Sequence, residues 1–88
     1  MPANIPDNLE QELKTIIANA IGRKPEDLKP DTDFWKDLGI DSIKAIEIAV
    51  AIERHFKIAF RDEQIAMIST LSQAMEIVKD AFERKNAK

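Results

Sequence analysis

The stretch Phe34-Trp35-Lys36-Asp37-Leu38-Gly39-Ile40-Asp41-Ser42-Ile43 constrains this chain more than any other. Gly39 lets the backbone turn where a Cβ would be costly. Asp41 and Ser42 are both good helix caps, able to accept hydrogen bonds from the unpaired N–H groups of a first turn. From Ser42 to Phe56 no glycine or proline interrupts a run with helical apolar spacing, so this segment is predicted as one helix. Ser42 then stands at the exposed, positive end of that helix, a favourable position for a group that carries phosphate.

An Asp-Ser pair ahead of an apolar helix also reads as a cap and nothing more. The longer string separates the two readings. Phe-x-x-Asp-Leu-Gly-x-Asp-Ser-aliphatic, present as Phe34, Asp37, Leu38, Gly39, Asp41, Ser42 and Ile43, closely resembles the attachment site of acyl carrier proteins, and the resemblance extends over nearly the whole chain. It implies that Ser42 carries 4′-phosphopantetheine through a phosphodiester, with Gly39, Asp41 and Ile43 framing the site. It also implies two kinds of partner: a phosphopantetheinyl transferase, and enzymes that load and process acyl groups. Asp41 is expected to orient the loop and to assist attachment by binding a metal ion or the transferase.

Composition agrees with this reading and removes several others. With 88 residues, one small domain with a modest core is the expectation for 1–88, and a monomer. A net charge of −3 with 33% charged residues gives a mixed surface without the basic stripe of a nucleic-acid binder. No basic segment leads into an apolar run at the start and no apolar stretch reaches bilayer length, so a cytoplasmic location without membrane insertion is expected. The chain has no cysteine and a single histidine, His55. Disulfides, thiolate metal sites and cysteine nucleophiles are thereby excluded, and neither a catalytic residue nor a metal site is expected. Any thioester chemistry needs a sulfur added after translation, which a pantetheine thiol on Ser42 would supply.

Read in order, residues 1–6 contain two prolines and are expected to be loose. Asp7 or Asn8 can cap a first helix, with Leu9, Leu13, Ile16, Ile17, Ala20 and Ile21 on its apolar side and Gly22 as its stop. Pro25 and Pro30 break the segment that follows; one helical turn at 25–28 dips Leu28 inward, and the loop crosses the end of the bundle. Phe34 and Trp35 are both expected to pack. Asp62 can cap a short third helix through 65–67. Thr70-Leu71-Ser72-Gln73 matches a capping box and opens a fourth helix with Leu71, Ala74, Met75, Val78, Ala81 and Phe82 inward, before a loose tail at 84–88. The predicted fold is all-α: a four-helix bundle with three longer helices and a short third one.

The helix from Ser42 carries two apolar stripes. At about 100° per residue, Ala45, Ile48, Ala49, Ile52 and Phe56 share one side and serve the core, while Ile43, Ile46 and Val50 lie roughly opposite. A second stripe on so small a domain either faces another element or remains on the surface as a docking strip, of the kind a partner's groove receives, and docking is the expectation. In acyl carrier proteins the corresponding helix is the recognition element, so the resemblance assigns partner contacts to Ile43, Ile46, Glu47, Val50 and Glu53, with Arg54 on the rim. One departure stands out. Family members commonly present an acidic helix here, whereas residues 42–57 hold Lys44, Arg54 and Lys57 against Glu47 and Glu53. That net of +1 weakens steering toward basic enzyme patches and points to a dedicated pathway. His55 is expected to be a solvated position.

The resemblance further implies that an acyl chain tucks between the second, third and fourth helices, against Phe34, Ile52, Phe60, Ile65, Ile68, Leu71 and Ala74. By periodicity alone the same residues are an ordinary core. The predicted function is that of an acyl carrier for fatty acid, polyketide or other lipid synthesis. A peptidyl, aryl or D-alanyl carrier is the alternative within the family. Outside it stands a small helical adaptor whose Asp41-Ser42 is only a cap.

Overall fold

A computed structural model describes residues 7–86. Four α-helices run in the order α1 (Leu9–Ile21), α2 (Ser42–Phe56), α3 (Asp62–Ala66) and α4 (Leu71–Asn86), with one 3₁₀ turn at Pro25–Asp27, and there is no strand among the described residues. This is the predicted all-α bundle with three longer helices and a short third one. The expectation for residues 1–6, and for 87–88 of the tail, lies outside the described residues.

Periodicity places the core. Leu9, Leu13 and Ile17 of α1 meet Ala45, Ile48, Ala49 and Ile52 of α2 and Leu71, Ala74, Val78 and Ala81 of α4, all buried. α1 lies against both α2 and α4, and α3 leans on α2. Phe56 and Phe82 close the α2–α4 side edge to face, with ring centroids 5.7 Å apart and planes at 70°, an arrangement that aromatic rings favour. Ala18, Ile40, Ile58 and Ile77 are buried as well, although their positions in the pattern do not announce it. Met75, expected inward, is half-buried at the core's edge.

The helix ends follow local chemistry. Asn8 is the N-cap of α1, but its side chain makes no capping bond. Gly22 closes the helix in the left-handed region (φ 71°), where its N–H and that of Arg23 both reach the Ala18 carbonyl, a glycine-terminated stop. Thr70 Oγ1 accepts the Gln73 N–H at 3.1 Å, the forward half of the predicted capping box. The cap of α3 differs from expectation: Arg61 is the N-cap and Asp62 the first helical residue, because the Gln64 side chain reaches back to accept the Arg61 N–H at 2.9 Å.

The expected loose tail is also corrected, since α4 continues through Asn86. Arg84 holds it there, donating to Asp80 Oδ2, to Gln64 Oε1 and to the Ala59 carbonyl. Lys85 Nζ donates to the Lys57 carbonyl at 2.9 Å. The Arg84 guanidinium, and after it the Gln64 amide, keep the Asp80 carboxyl below its usual range.

α2 ends on Lys57 in the left-handed conformation (φ 58°, ψ 48°), the one non-glycine residue of positive φ among those described. A Cβ there meets the following carbonyl at a cost that glycine avoids. Lys57→Gly should therefore stabilise the fold by about 1 kcal/mol, read as a higher urea midpoint at unchanged slope.

Candidate functional site

The long connection before α2 is not a free loop. Asp33 Oδ1 accepts the N–H groups of Trp35 and Lys36, both at 2.9 Å. Asp37 Oδ2 accepts the Asp33 N–H, and the Asp37 N–H returns to the Asp33 carbonyl. Two aspartates thus lock residues 33–37 into one turn, as short acidic side chains do in Asx turns. The Phe34 side chain is buried, its N–H donates to the Ser69 carbonyl at 2.7 Å, and its carbonyl accepts the Ile40 N–H at 3.0 Å. Gly39 supplies the positive φ (65°) between them, and a Cβ there would meet nothing within 4 Å. Backbone conformation rather than space requires this glycine.

Asp41 is then the N-cap of α2, its Oδ1 accepting the Lys44 N–H at 2.8 Å while its carbonyl accepts that of Ala45. Of the first-turn amides this leaves those of Ser42 and Ile43 without an intrahelical acceptor. Both residues are exposed, Ile43 by 69%. Ser42 carries its hydroxyl beside two donor amides at the positive end of a fifteen-residue helix, a donor set that fits a phosphodiester. Among the described residues no group of three or more His, Cys, Asp or Glu side chains could hold a metal ion.

Beside Ser42 opens a cleft of about 290 Å³, lined by Trp35, Ser42, Ala45, Ile46, Asp62, Ile65 and Ala66. Trp35, expected to pack, is 36% exposed. Its Nε1 donates to the Ile68 carbonyl at 3.1 Å, which keeps the ring at the rim. Of the seven residues expected to wall an acyl chain, Ile65 alone lines this cleft. Phe34, Ile52, Ile68, Leu71 and Ala74 are fully packed core side chains and Phe60 is half-buried in the α2–α3 connector. Helical spacing cannot tell a side chain under the core from one lining a cleft; the separation comes from tertiary packing.

The expected docking strip divides in the same way. Ile43 and Ile46 are exposed (69% and 53%) and Val50 is half-buried. Glu47 is exposed and paired with Lys44 at 3.1 Å, and Arg54 is exposed. Glu53 is half-buried, and its Oε2 accepts the Phe60 N–H at 2.7 Å, so it fastens the connector. His55 is half-exposed and meets Glu12 Oε1 at 3.0 Å, tying α2 to α1. The helix therefore offers little free negative charge.

A family model described as the phosphopantetheine attachment site matches residues 11–78, well over half of the chain and all of the site just described. The chain belongs to that family. It is a carrier domain of the acyl carrier protein type, and its cofactor is covalently attached 4′-phosphopantetheine. Domains of this kind are modified by phosphopantetheinyl transferases and meet synthase enzymes. No helix among the described residues is long and apolar enough to cross a membrane.

The Asp41 cap gives a direct stability test of this arrangement. Asp41→Ala should lower the unfolding free energy by about 1 kcal/mol in a urea titration, while Asp41→Asn, which keeps an acceptor, should retain most of it.

Proposed function

We propose that this chain is a non-catalytic acyl carrier and that Ser42 is its attachment residue. The observation that carries the reading is the exposed Ser42 side chain, set beside two unpaired helix amides, inside the segment that matches the attachment family. Asp41 and Gly39 act on the backbone: one caps α2 and the other supplies the turn before it. Ile43 and Ile46 form an exposed apolar contact for the transferase and the acyl-processing enzymes.

When bound, the cofactor supplies a thiol that holds an acyl carbonyl as a thioester, activated toward nucleophilic attack. The chain supplies position and partner choice. The choice is shifted from electrostatics toward apolar contact, because Lys44 neutralises Glu47 and the Phe60 amide takes up Glu53. Steering toward basic patches falls accordingly, which supports service in a dedicated pathway. The cleft beside Ser42, lined mainly by apolar side chains, supports an acyl cargo.

Incubation with coenzyme A and a broad-specificity phosphopantetheinyl transferase tests the reading by intact mass. The wild type should gain one phosphopantetheine and Ser42→Ala none. A folded wild type that gains no mass would leave a small helical adaptor as the better account. Acceptance of acyl groups from an acyl-carrier synthetase, and refusal of aminoacyl groups from an adenylation enzyme, separates the acyl carrier from its peptidyl and D-alanyl relatives.

A further inference from the structure

The end of α2 away from Ser42 gathers positive charge. A cavity of about 430 Å³ opens there between the α2–α3 connector and α4, lined by Lys57, Ile58, Ala59, Ala81, Arg84 and Lys85. Cations and apolar residues share it, and no carboxylate lines it. Asp80 is engaged with Arg84 Nε, and Glu53 with the Phe60 N–H. The cations are held in position: Lys85 Nζ donates to the Lys57 carbonyl and Arg84 Nη2 to the Ala59 carbonyl. Arginine and lysine carry more donors than these bonds use. Arg84 Nη1 and the Lys57 ammonium have no acceptor among the described residues.

A second observation comes from the backbone. Lys57 holds a positive φ of 58°, where glycine would be less strained. Strain kept at a residue whose side chain lines a cavity marks that side chain as one in use.

We propose that this cavity docks an acidic segment of a partner protein, with an apolar side chain against Ala59 and carboxylates on Lys57, Arg84 and Lys85. Size and charge choose the occupant. Counting about 30 Å³ for each water-sized group, an inorganic phosphate fills about a third of the space and leaves the apolar wall uncovered. Anionic membranes are met by clusters of about four to eight basic residues, whereas three line this cavity and the chain carries a net charge of −3. A short acidic stretch of protein matches both the cations and the apolar wall. The fifteen residues of α2 set the cavity roughly 22 Å from Ser42, so a partner seated there leaves the serine uncovered. On the reading of Ser42 given above, such a partner raises the effective concentration of the tethered group at its own active site. The docking itself does not rest on that reading.

The test is an amide NMR titration of the unmodified, isotope-labelled chain. The probes are a capped Glu-Asp-Leu-Phe-Asp-Glu peptide, a capped Lys-Arg-Leu-Phe-Arg-Lys peptide, inorganic phosphate, and phosphatidylglycerol vesicles. The acidic peptide should give saturable shifts confined to the amides of 57–59 and 81–85, and the basic peptide should leave those amides unmoved. Lys57→Gly should bind the acidic peptide about two- to five-fold more weakly although its urea midpoint rises. Lys57→Asn, which suits the left-handed backbone and also lacks the ammonium, should weaken binding equally. Lys24→Gln removes the same charge from an exposed residue elsewhere and should bind like the wild type. An acidic peptide that moves no amide, or amides all over the surface, would overturn the proposal. So would wild-type binding by both Lys57 variants, or an equal loss in Lys24→Gln. The same pattern from phosphate alone would assign the cavity to a free anion, and attenuation of those amides by vesicles without a peptide response would assign it to a membrane surface; either result would also overturn the proposal. None of these outcomes bears on Ser42, which the mass gain decides separately.

Discussion

The position of Ser42 depends on the burial of Phe34. The ring is 1% exposed, its amide is bound by the Ser69 carbonyl, and its own carbonyl holds the Ile40 amide. One residue therefore pins the start of the approach to α2 to the start of α4 and fixes where that approach ends. Burial of a phenylalanine is worth about 1.5–3 kcal/mol, which offsets the ordering of one or two residues of the turn; the hydrogen bonds of the turn carry the rest. The Asp33–Asp37 turn, Gly39 and Asp41 then act in sequence, each setting the backbone for the next.

α2 works because its two faces have different tasks. One face has no freedom to change: Ile48, Ala49 and Ile52 are wholly inaccessible and any gap there would be felt across the core. The other leaves Ile43 and Ile46 in solvent, the small apolar surface proposed above for partner contact. The charges around them are arranged so that few are free. Lys44 meets Glu47, Glu12 meets His55, and Glu53 is turned to the Phe60 amide. The domain is acidic as a whole, with a net charge of −3, yet α2 is close to neutral.

Much of the fold was legible in the sequence. The spans of α1 and α2, the Gly22 stop, the Thr70 cap and the inward face of α2 all follow from interactions within one or two helical turns. The candidate site was legible because its motif is contiguous, from Phe34 to Ile43. What escaped depends on pairs far apart in sequence. Trp35 finds the Ile68 carbonyl, Arg84 finds Ala59 and Gln64, and Lys85 finds Lys57. None of these leaves a periodic trace, so Trp35 read as a packed residue and 84–86 as part of a loose tail. The bond from the Phe60 amide to Glu53 escaped for a similar reason: a carboxylate serving a connector amide has the same helical register as one serving a partner.

Which hydroxyl accepts the cofactor decides the assignment of Ser42. The chain has three serines, Ser42, Ser69 and Ser72, and trypsin separates the first from the others, leaving it in the peptide 37–44 and the others in 62–79. Peptide mapping of the transferase-treated protein by tandem mass spectrometry should find the added phosphopantetheine on 37–44 alone. Recovery of that mass on 62–79, with 37–44 unmodified, would contradict the assignment of Ser42 and the site built around it.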